Sequence, residues 1–524
     1  MNGRAPAPES GSGGLRTAAF VVLGLIVLAG LALRIKVFGQ SLYGDEMSTL
    51  WIVEGRSAGE VLDLIESDAE ISPPLFFLAA WLSEQFWHSP EAVRLPSLLA
   101  GAGMLPMTWL VARELFDRRV ALVAVSLVSL APILVYLSGN GRGYSMMLLF
   151  LATSTWAMLR AARGGGTGWW ALFAFSAAAA MYSHYTGAFY LLGQFIWLLF
   201  ARPERRRPAT LAATAAAVLY LPWLAGFRAD SDSPTTPLLE ALQGHGFEAK
   251  RIAVEQLLFW EVRRGEWSLD GRIDVWLIVA GALLCLAGIL FALRSGRLGW
   301  RPGSSLILVL VLTFAVPVGS LLAGLVTTDT FGGRNLAAAW IGLALLVALA
   351  VVRAGRRFGL IALVLILVGL ASGSVRLADS GRTELRYSDA AAFIETESMP
   401  GDAIVDNSHI TPVPLTPLDA YLEGEREHEY RLNLQTGQPP FLPGGRVPDR
   451  KAQVRQAFSG SGRVFVATLT GQDELLQGKL FVGDGHLEIP DGWQVAEQEV
   501  FDGLYPVTVT VFEREPPRSG LDDE

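Results

Sequence analysis

The feature that most constrains this chain is its succession of long apolar runs. Two of the clearest are SSLILVLVLTFAVPVGSLLAGLV (304–326) and FGLIALVLILVGLASGSV (358–375). Each is close to the ~20 residues that an α-helix needs to cross the hydrocarbon core of a bilayer. The composition agrees: 51% of the 524 residues are hydrophobic and 18% are charged, where soluble domains carry about 25% charge. The chain therefore reads as a polytopic α-helical membrane protein. Its one cysteine, Cys285, lies inside an apolar run, so no internal disulfide and no cysteine-based metal site can form.

Spans are expected near 17–37, 96–112, 120–137, 144–160, 168–182, 187–201, 209–225, 273–293, 304–326, 335–352 and 358–376, eleven in all. The first follows a short polar tail, residues 1–16, with Arg4 and Arg16, and reads as an uncleaved anchor rather than a removed signal. Orientation follows from the bias of Lys and Arg toward cytoplasmic loops. ARELFDRR (112–119), RAAR (160–163), RPERRR (202–207), RSGRLGWR (294–301) and RAGRR (353–357) alternate with short loops almost free of positive charge. That alternation places the N-terminus inside. Arg34 and Lys36 fall at the outer end of the first span, against the rule, and are expected to snorkel to the surface. PPLFFLAAWLSEQFW (73–87) is apolar but short. Counting it as a span would invert every later loop, so it is expected to lie in or dip into the outer interface.

A transmembrane domain over 17–376 results, with long outer loops at about 38–95 and 226–272. Residues 377–524 form a separate extracytoplasmic domain. That domain has 26 acidic and 12 basic residues, a net charge of −14. It reads as α/β: SDAAAFIETES as a helix with a serine N-cap, then DAIVDNS, GRVFVATL and YPVTVTVFER as strands. GQPPFLPGGRVPD (437–449) reads as loop. Glu423, Glu425, Glu427 and Glu429 read as a solvated acidic stretch whose spacing matches no calcium loop. There is no internal repeat and no nucleotide-binding glycine fingerprint, and nothing points to a nucleic-acid partner.

With this topology, unusual polar residues at span ends gather on the outer side. They are Asp45 and Glu46 in LYGDEM, Arg142 and Tyr144 in GNGRGYS, His184 and Tyr185 in YSHYTG, Arg228 in GFRAD, and Arg334 and Asn335 in FGGRN. An arginine drawn toward the bilayer centre costs roughly 2.5–3.5 kcal/mol on insertion scales. Cations opposite a carboxylate pair suit a phosphate group at the outer leaflet. Each residue also has a plainer reading. Asp45 and Glu46 can be a solvated pair, and Arg142 and Arg334 can cap helix carbonyls. His184 can be structural. Tyr144, with Trp51, Trp81 and Trp87, fits an interfacial aromatic belt.

Taken in order, LYGDE, SPPLFFLAAWL, VRLPSLLAG, GRGYSMMLLF, SHYTGAFYLL and GGRNLAAAW resemble the GT-C superfamily of membrane glycosyltransferases. Within it the chain resembles glycosyltransferase family 39, the protein O-mannosyltransferase and lipid A aminoarabinose transferase relatives. Ser72 stands where that family has His before the double proline, and Asn335 where many relatives have Tyr. The resemblance implies inverting transfer of a sugar from a polyprenyl-phosphate donor to a protein, lipid or glycan acceptor outside the cytoplasm. It implies Asp45 as general base, with Glu46 orienting it or contacting the acceptor. It also implies Arg142, Arg334 and His184 on the donor phosphate, and Tyr144, Tyr185 and Asn335 as substrate contacts. A lipid phosphate is already a good leaving group, so one base and a set of cations suffice. No cofactor is implied: a divalent ion on the Asp45–Glu46 pair would need further ligands that the sequence does not supply. The arginine-rich, lysine-poor usage suggests a bacterial inner membrane. A flippase for a lipid-linked sugar and a non-enzymatic membrane protein are the other classes. The first predicts repeats and broken helices with polar groups at mid-membrane. The second predicts outer carboxylates that can be replaced without loss.

Overall fold

The computed structural model of the chain describes residues 10–67, 70–233, 246–260, 272–295, 303–379, 385–408, 415–422, 430–433, 455–460, 462–469 and 490–515. The acidic stretch Glu423–Glu429, the Pro/Gly-rich 437–449 and most of the 294–301 loop lie outside them.

Each expected span falls on helix. Among the described residues, seven helical stretches are long and apolar enough to cross a bilayer: Thr17–Phe38, Pro90–Leu115, Tyr144–Ala162, Pro203–Asp232, Ile273–Arg294, Ser304–Ala323 and Arg356–Leu377. Three more expected spans form shorter helices, Thr167–Ser183, Gly187–Ala201 and Ala339–Arg353. The remaining one is broken: Arg118–Leu130 and Pro132–Ser138 meet at 61°. We label α1 Ser10–Phe38, α2 Asp45–Val53, α3 Ala58–Glu66, α4 Leu75–Glu84, α5 Leu95–Leu115, α6 Arg118–Leu130, α7 Pro132–Ser138, α8 Tyr144–Ala162, α9 Thr167–Ser183 and α10 Gly187–Ala201. The apolar 73–87 run yields only α4, ten residues. At 1.5 Å per residue it is about half a bilayer core in length.

The α6–α7 break explains Arg34. Pro132 has no N–H for the carbonyl of Val128, and the bend removes the next helical bond. Arg34 fills the gap. Its Nη2 donates to Val128 O at 2.9 Å, its Nη1 to Ser129 O at 2.7 Å and to Gly30 O at 2.9 Å, and its Nε to Ser138 Oγ at 3.1 Å. The side chain is fully buried. Snorkelling was the wrong expectation, because a helix break inside the bundle offers a guanidinium better acceptors than the surface does. Gly30 permits the approach: a Cβ there would sit 2.4 Å from Ser129 O.

The C-terminal domain is α/β, as expected. A five-stranded sheet runs in the order β2-β1-β3-β5-β4, with β1 Ala403–Asn407, β2 Tyr430–Asn433, β3 Val464–Leu469, β4 Trp493–Phe501 and β5 Val507–Arg514. β1 is parallel to β2 and β3; β5 is antiparallel to β3 and β4. The helix Tyr387–Glu397 buries Tyr387, Ala390, Ala391 and Ile394 against the sheet core. Its N-cap is Arg386 rather than Ser388. Ser388 lies inside the first turn, where its hydroxyl meets Ser41 Oγ at 3.0 Å. A contact to the membrane domain has taken the hydroxyl that a cap would have used.

Arg34→Leu is expected to lower stability by about 3 kcal/mol or more, since the carbonyls at the break lose charged donors worth roughly 1.5–3 kcal/mol each. Arg34→Lys should recover only part of it, because an ammonium lacks the planar fork. Thermal unfolding in detergent, followed by tryptophan fluorescence, checks both. A Leu variant that melts with the wild type would show that the break needs no guanidinium.

Candidate active site

Residues 39–44 link α1 to α2, and Gly44, at φ 59°, turns the chain so that Asp45 is the first helical residue. A carboxylate there is favoured by the helix dipole. The loop is held from below by Arg94. Its Nη1 donates to the carbonyls of Phe38 (2.9 Å) and Gln40, and its Nη2 to Ser41 O at 3.2 Å. Its Nε and Nη2 grip Glu46 at 2.7 and 2.6 Å. Glu46 Oε1 also accepts from Gly141 N–H at 2.6 Å, and Thr49 Oγ1 donates to Gly141 O at 2.9 Å. The peptide of Gly141 is thus clamped at both faces by α2. Ser97 Oγ fixes the next carbonyl, Arg142 O, at 3.0 Å. At Gly143 a Cβ would lie 2.3 Å from Ser183 O, so the 139–143 loop packs directly on the end of α9. VRLPS and GNGRG are therefore two halves of one scaffold.

On this scaffold the candidate residues divide. Arg334 Nη1 donates to Asp45 Oδ2 at 2.6 Å, with the two side chains 35% and 46% exposed. The Arg334 guanidinium lies 5.7 Å from the Tyr144 ring, and that ring is 4.5 Å from the imidazole of His184. Tyr144 OH donates to Asn335 Oδ1 at 3.3 Å. Asp45, Arg334, Tyr144, Asn335 and His184 thus form one cluster.

Glu46 does not join it. Both its oxygens are bound to Arg94 and Gly141, and it is 3% exposed, so it holds the loop and has no face for an acceptor. Arg142 gives Nη1 and Nη2 to Glu70 at 2.7 and 2.9 Å, and Nη2 also to Ser72 Oγ at 3.0 Å. Three of its five N–H groups are thereby used, and it also acts on Asp45 through its field. Tyr185 points elsewhere: its hydroxyl donates to Asp230 and accepts from Trp223 Nε1 at 2.9 Å. Arg228 is exposed. Arg94, Glu70 and Ser72 were absent from the candidate set. VRLPS signalled the first, and Ser72 was visible as a departure from the family pattern. Glu70 had no sequence signal beyond its charge.

Arg334, with a smaller contribution from Arg142, holds the carboxyl of Asp45 below its ordinary range against the opposing effect of burial. Burial, then Arg142 and Arg334, push His184 down to about 3. The imidazole is neutral near pH 7. Thr186 N–H donates to its Nδ1 at 3.3 Å and Thr186 Oγ1 lies 2.9 Å from the same atom. That network assigns the proton to Nε2. His184 is therefore a neutral donor and not a third cation.

Residues 72–225 match the family model of dolichyl-phosphate-mannose-protein mannosyltransferase. The matched stretch contains SPPL, VRLPS, GRGYS and SHYTG. Over this stretch the expected resemblance to the protein O-mannosyltransferase relatives is met. Asp45 and Arg334 lie outside the stretch that the family model matches. Among solved structures, the chain is similar to ArnT from Cupriavidus metallidurans bound to undecaprenyl phosphate, at 14% identity and a TM-score of 0.45, over 95% of this chain and 98% of that one. It is also similar to the Archaeoglobus fulgidus oligosaccharyltransferase tethered to an acceptor peptide, at 12% identity and a TM-score of 0.44, over 87% and 69%. The arabinofuranosyltransferase AftD from Mycobacteria gives 15% identity and a TM-score of 0.48, over 95% and 40%. No curated protein matches the chain.

The His184 environment has a consequence for pH. A histidine whose folded value lies below its unfolded value of ~6.5 contributes stability that is complete above that value. The contribution is lost as pH falls toward about 3. Unfolding measured across this window should lose less stability on acidification for His184→Gln than for the wild type. Equal slopes would mean that folding does not lower the proton affinity of His184.

Proposed function

We propose that the chain transfers a sugar from a polyprenyl-phosphate donor to an acceptor on the extracytoplasmic side of the membrane, with inversion and with Asp45 as general base. One observation carries the assignment of the base. Three carboxylates approach the cluster, each with its own arginine. Glu46 and Glu70 are buried in bidentate pairs, while Asp45 is half-exposed and held by one bond. Among these three, Asp45 alone can meet an incoming hydroxyl. The mannosyltransferase family match over 72–225 supports glycosyl transfer as the class of reaction, and the apolar helices support a multi-pass membrane protein.

The chemistry then follows from the charges. Among the described residues, Arg334 donates to Asp45 alone, which leaves guanidinium N–H groups for a phosphate oxygen. Nε2–H of neutral His184 is a second donor beside it. As the bond from the anomeric carbon to the phosphate oxygen breaks, these donors take up the growing charge on the lipid phosphate. Asp45 receives the proton of the acceptor hydroxyl as that oxygen attacks from the opposite face. A carboxylate kept acidic by Arg334 stays ionised and ready throughout the neutral range. The domain limits 17–376 and 377–524, an inner-membrane location and a cytoplasmic N-terminus belong to the same reading.

Asp45→Asn, reconstituted in liposomes with a panel of radiolabelled polyprenyl-phosphate hexoses and pentoses, should lose roughly 10²–10⁴-fold in turnover while still binding donor. The acid limb of the wild-type rate should lie below the ordinary carboxylate value of ~3.9. It should move up in Arg334→Gln, since Arg334 is the main cause of the depression. Turnover unchanged in Asp45→Asn would remove Asp45 from the chemistry.

A further inference from the structure

The loop that carries Asp45 is gripped by the C-terminal half of the chain as well as by Arg94. Tyr421 lies at the end of the short helix Pro417–Tyr421, in the C-terminal half of the chain. Its hydroxyl accepts from the backbone N–H of Leu42 at 2.8 Å and donates to Glu91 Oε1 at 2.9 Å. Leu42 is three residues before Asp45. Glu91 stands in the 3-10 helix Pro90–Arg94, which also supplies Arg94. One phenol therefore ties the Asp45 loop to the same 3-10 element whose Arg94 holds the loop carbonyls. A second contact accompanies it: Ser388 N–H donates to Ser41 Oγ at 3.2 Å. Tyr43 packs against the core formed by the C-terminal helix and sheet.

Resting on the glycosyl-transfer reading, we propose that Tyr421 is a positioning residue for Asp45, so that the C-terminal domain completes the transferase site. The physical argument is one of constraint. The Asp45–Arg334 pair is half-exposed and monodentate, so it cannot by itself fix where the carboxylate sits. Arg94 holds the carbonyls of Phe38, Gln40 and Ser41, but it has no acceptor to offer the N–H of Leu42. Tyr421 takes that N–H. Both the carbonyls and an N–H of the loop are thereby held, and Gly44 leads from that fixed position directly into the first turn of α2. A shift of about 1 Å at a reacting group can lower a rate by 10²-fold.

The test uses the full chain in liposomes. Tyr421→Phe keeps the ring and removes the hydroxyl; Ser388→Ala independently removes the hydroxyl half of the second contact, where Ser388 Oγ lies 3.0 Å from Ser41 Oγ, and leaves the backbone half. Expected for Tyr421→Phe is a fall in kcat of roughly 10- to 100-fold, with donor KM and the thermal midpoint unchanged. Hydrogen exchange of the Leu42 amide should become faster, and Ser388→Ala should give the same pattern more weakly. Unchanged kcat with faster exchange would overturn the proposal, because the loop would then be held without catalytic consequence. Unchanged exchange would overturn it as well. A rise in donor KM at constant kcat would replace it with a donor-binding role. A wild type that turns over no donor would sink the glycosyl-transfer reading itself, whereas the exchange of Leu42 reports the grip on the loop independently of turnover.

Discussion

The Asp45 end of the molecule depends on one buried guanidinium. Arg94 makes five hydrogen bonds, two to Glu46 and three to the carbonyls of Phe38, Gln40 and Ser41. A guanidinium has five N–H groups, so none remains. Removing two ions from water carries a penalty of several kcal/mol each. Only near-ideal geometry offsets it, and here the bidentate carboxylate and the loop carbonyls provide that geometry. The same arrangement explains why lysine would not serve: three donors on a point charge cannot reach a carboxylate and three separate carbonyls. Through Glu46 the constraint passes to Gly141, and through Ser97 to Arg142, so the first and second loops of the site move as one body.

Burial sets what each of the three Arg–carboxylate pairs can do. Glu46–Arg94 and Glu70–Arg142 are buried and forked, and separating either would strand a charge in a low-dielectric setting. Asp45–Arg334 is half-exposed with a single bond. Pairs of that kind are worth about 0–1 kcal/mol, which an incoming phosphate can match by taking Arg334 for itself. The cluster is thus locked where a scaffold is needed and exchangeable where a substrate must enter. The excess of arginine has a further effect, since Arg142 and Arg334 oppose a third positive charge on His184. That keeps the imidazole neutral, so that in the proposed reaction it would serve as a donor to the phosphate.

Much of this was legible in the sequence. The apolar helices were, because crossing hydrocarbon demands long apolar runs, although among the described residues only seven of them are long enough to cross as single helices. The strands β1, β3 and β5 were, because they are apolar and bounded by turns. β4 was not: WQVAEQEVF is polar, exposed over most of its length and paired only with β5 among the described strands, so no burial pattern marked it. The α6–α7 break was hidden because Pro132 lies in an otherwise unbroken apolar run, and the role of Arg34 was hidden with it. Asp45, Arg334, Tyr144, His184 and Asn335 could be gathered by topology alone. The division of labour between Asp45 and Glu46 could not, since adjacent residues on a helix start point to different sides and only the fold shows which side is buried. Contacts such as Tyr421 to Leu42 join residues 379 apart and leave no local trace.

The distribution of polar groups along the bundle also weighs between the competing classes. Midway along α8, Ser154 and Thr155 meet Tyr190 and Gln194 of α10. Thr155 Oγ1 is 2.9 Å from Tyr190 OH, Gln194 Nε2 donates to Thr155 Oγ1 at 2.6 Å, and Ser154 Oγ donates to Gln194 Oε1 at 3.1 Å. This network is neutral, buried and closed on itself, as expected of polar groups that join two helices in hydrocarbon. The ionised groups of the candidate site instead lie together at one end, where α2, the 139–143 loop and the C-terminal domain converge. A relay through the bilayer needs polar groups at mid-membrane that can exchange partners, and here the groups that can exchange partners are at the face. A donor whose headgroup stays at that face while its lipid tail stays in the bilayer meets both halves of the arrangement at once, which is the geometry that transfer from a lipid phosphate requires.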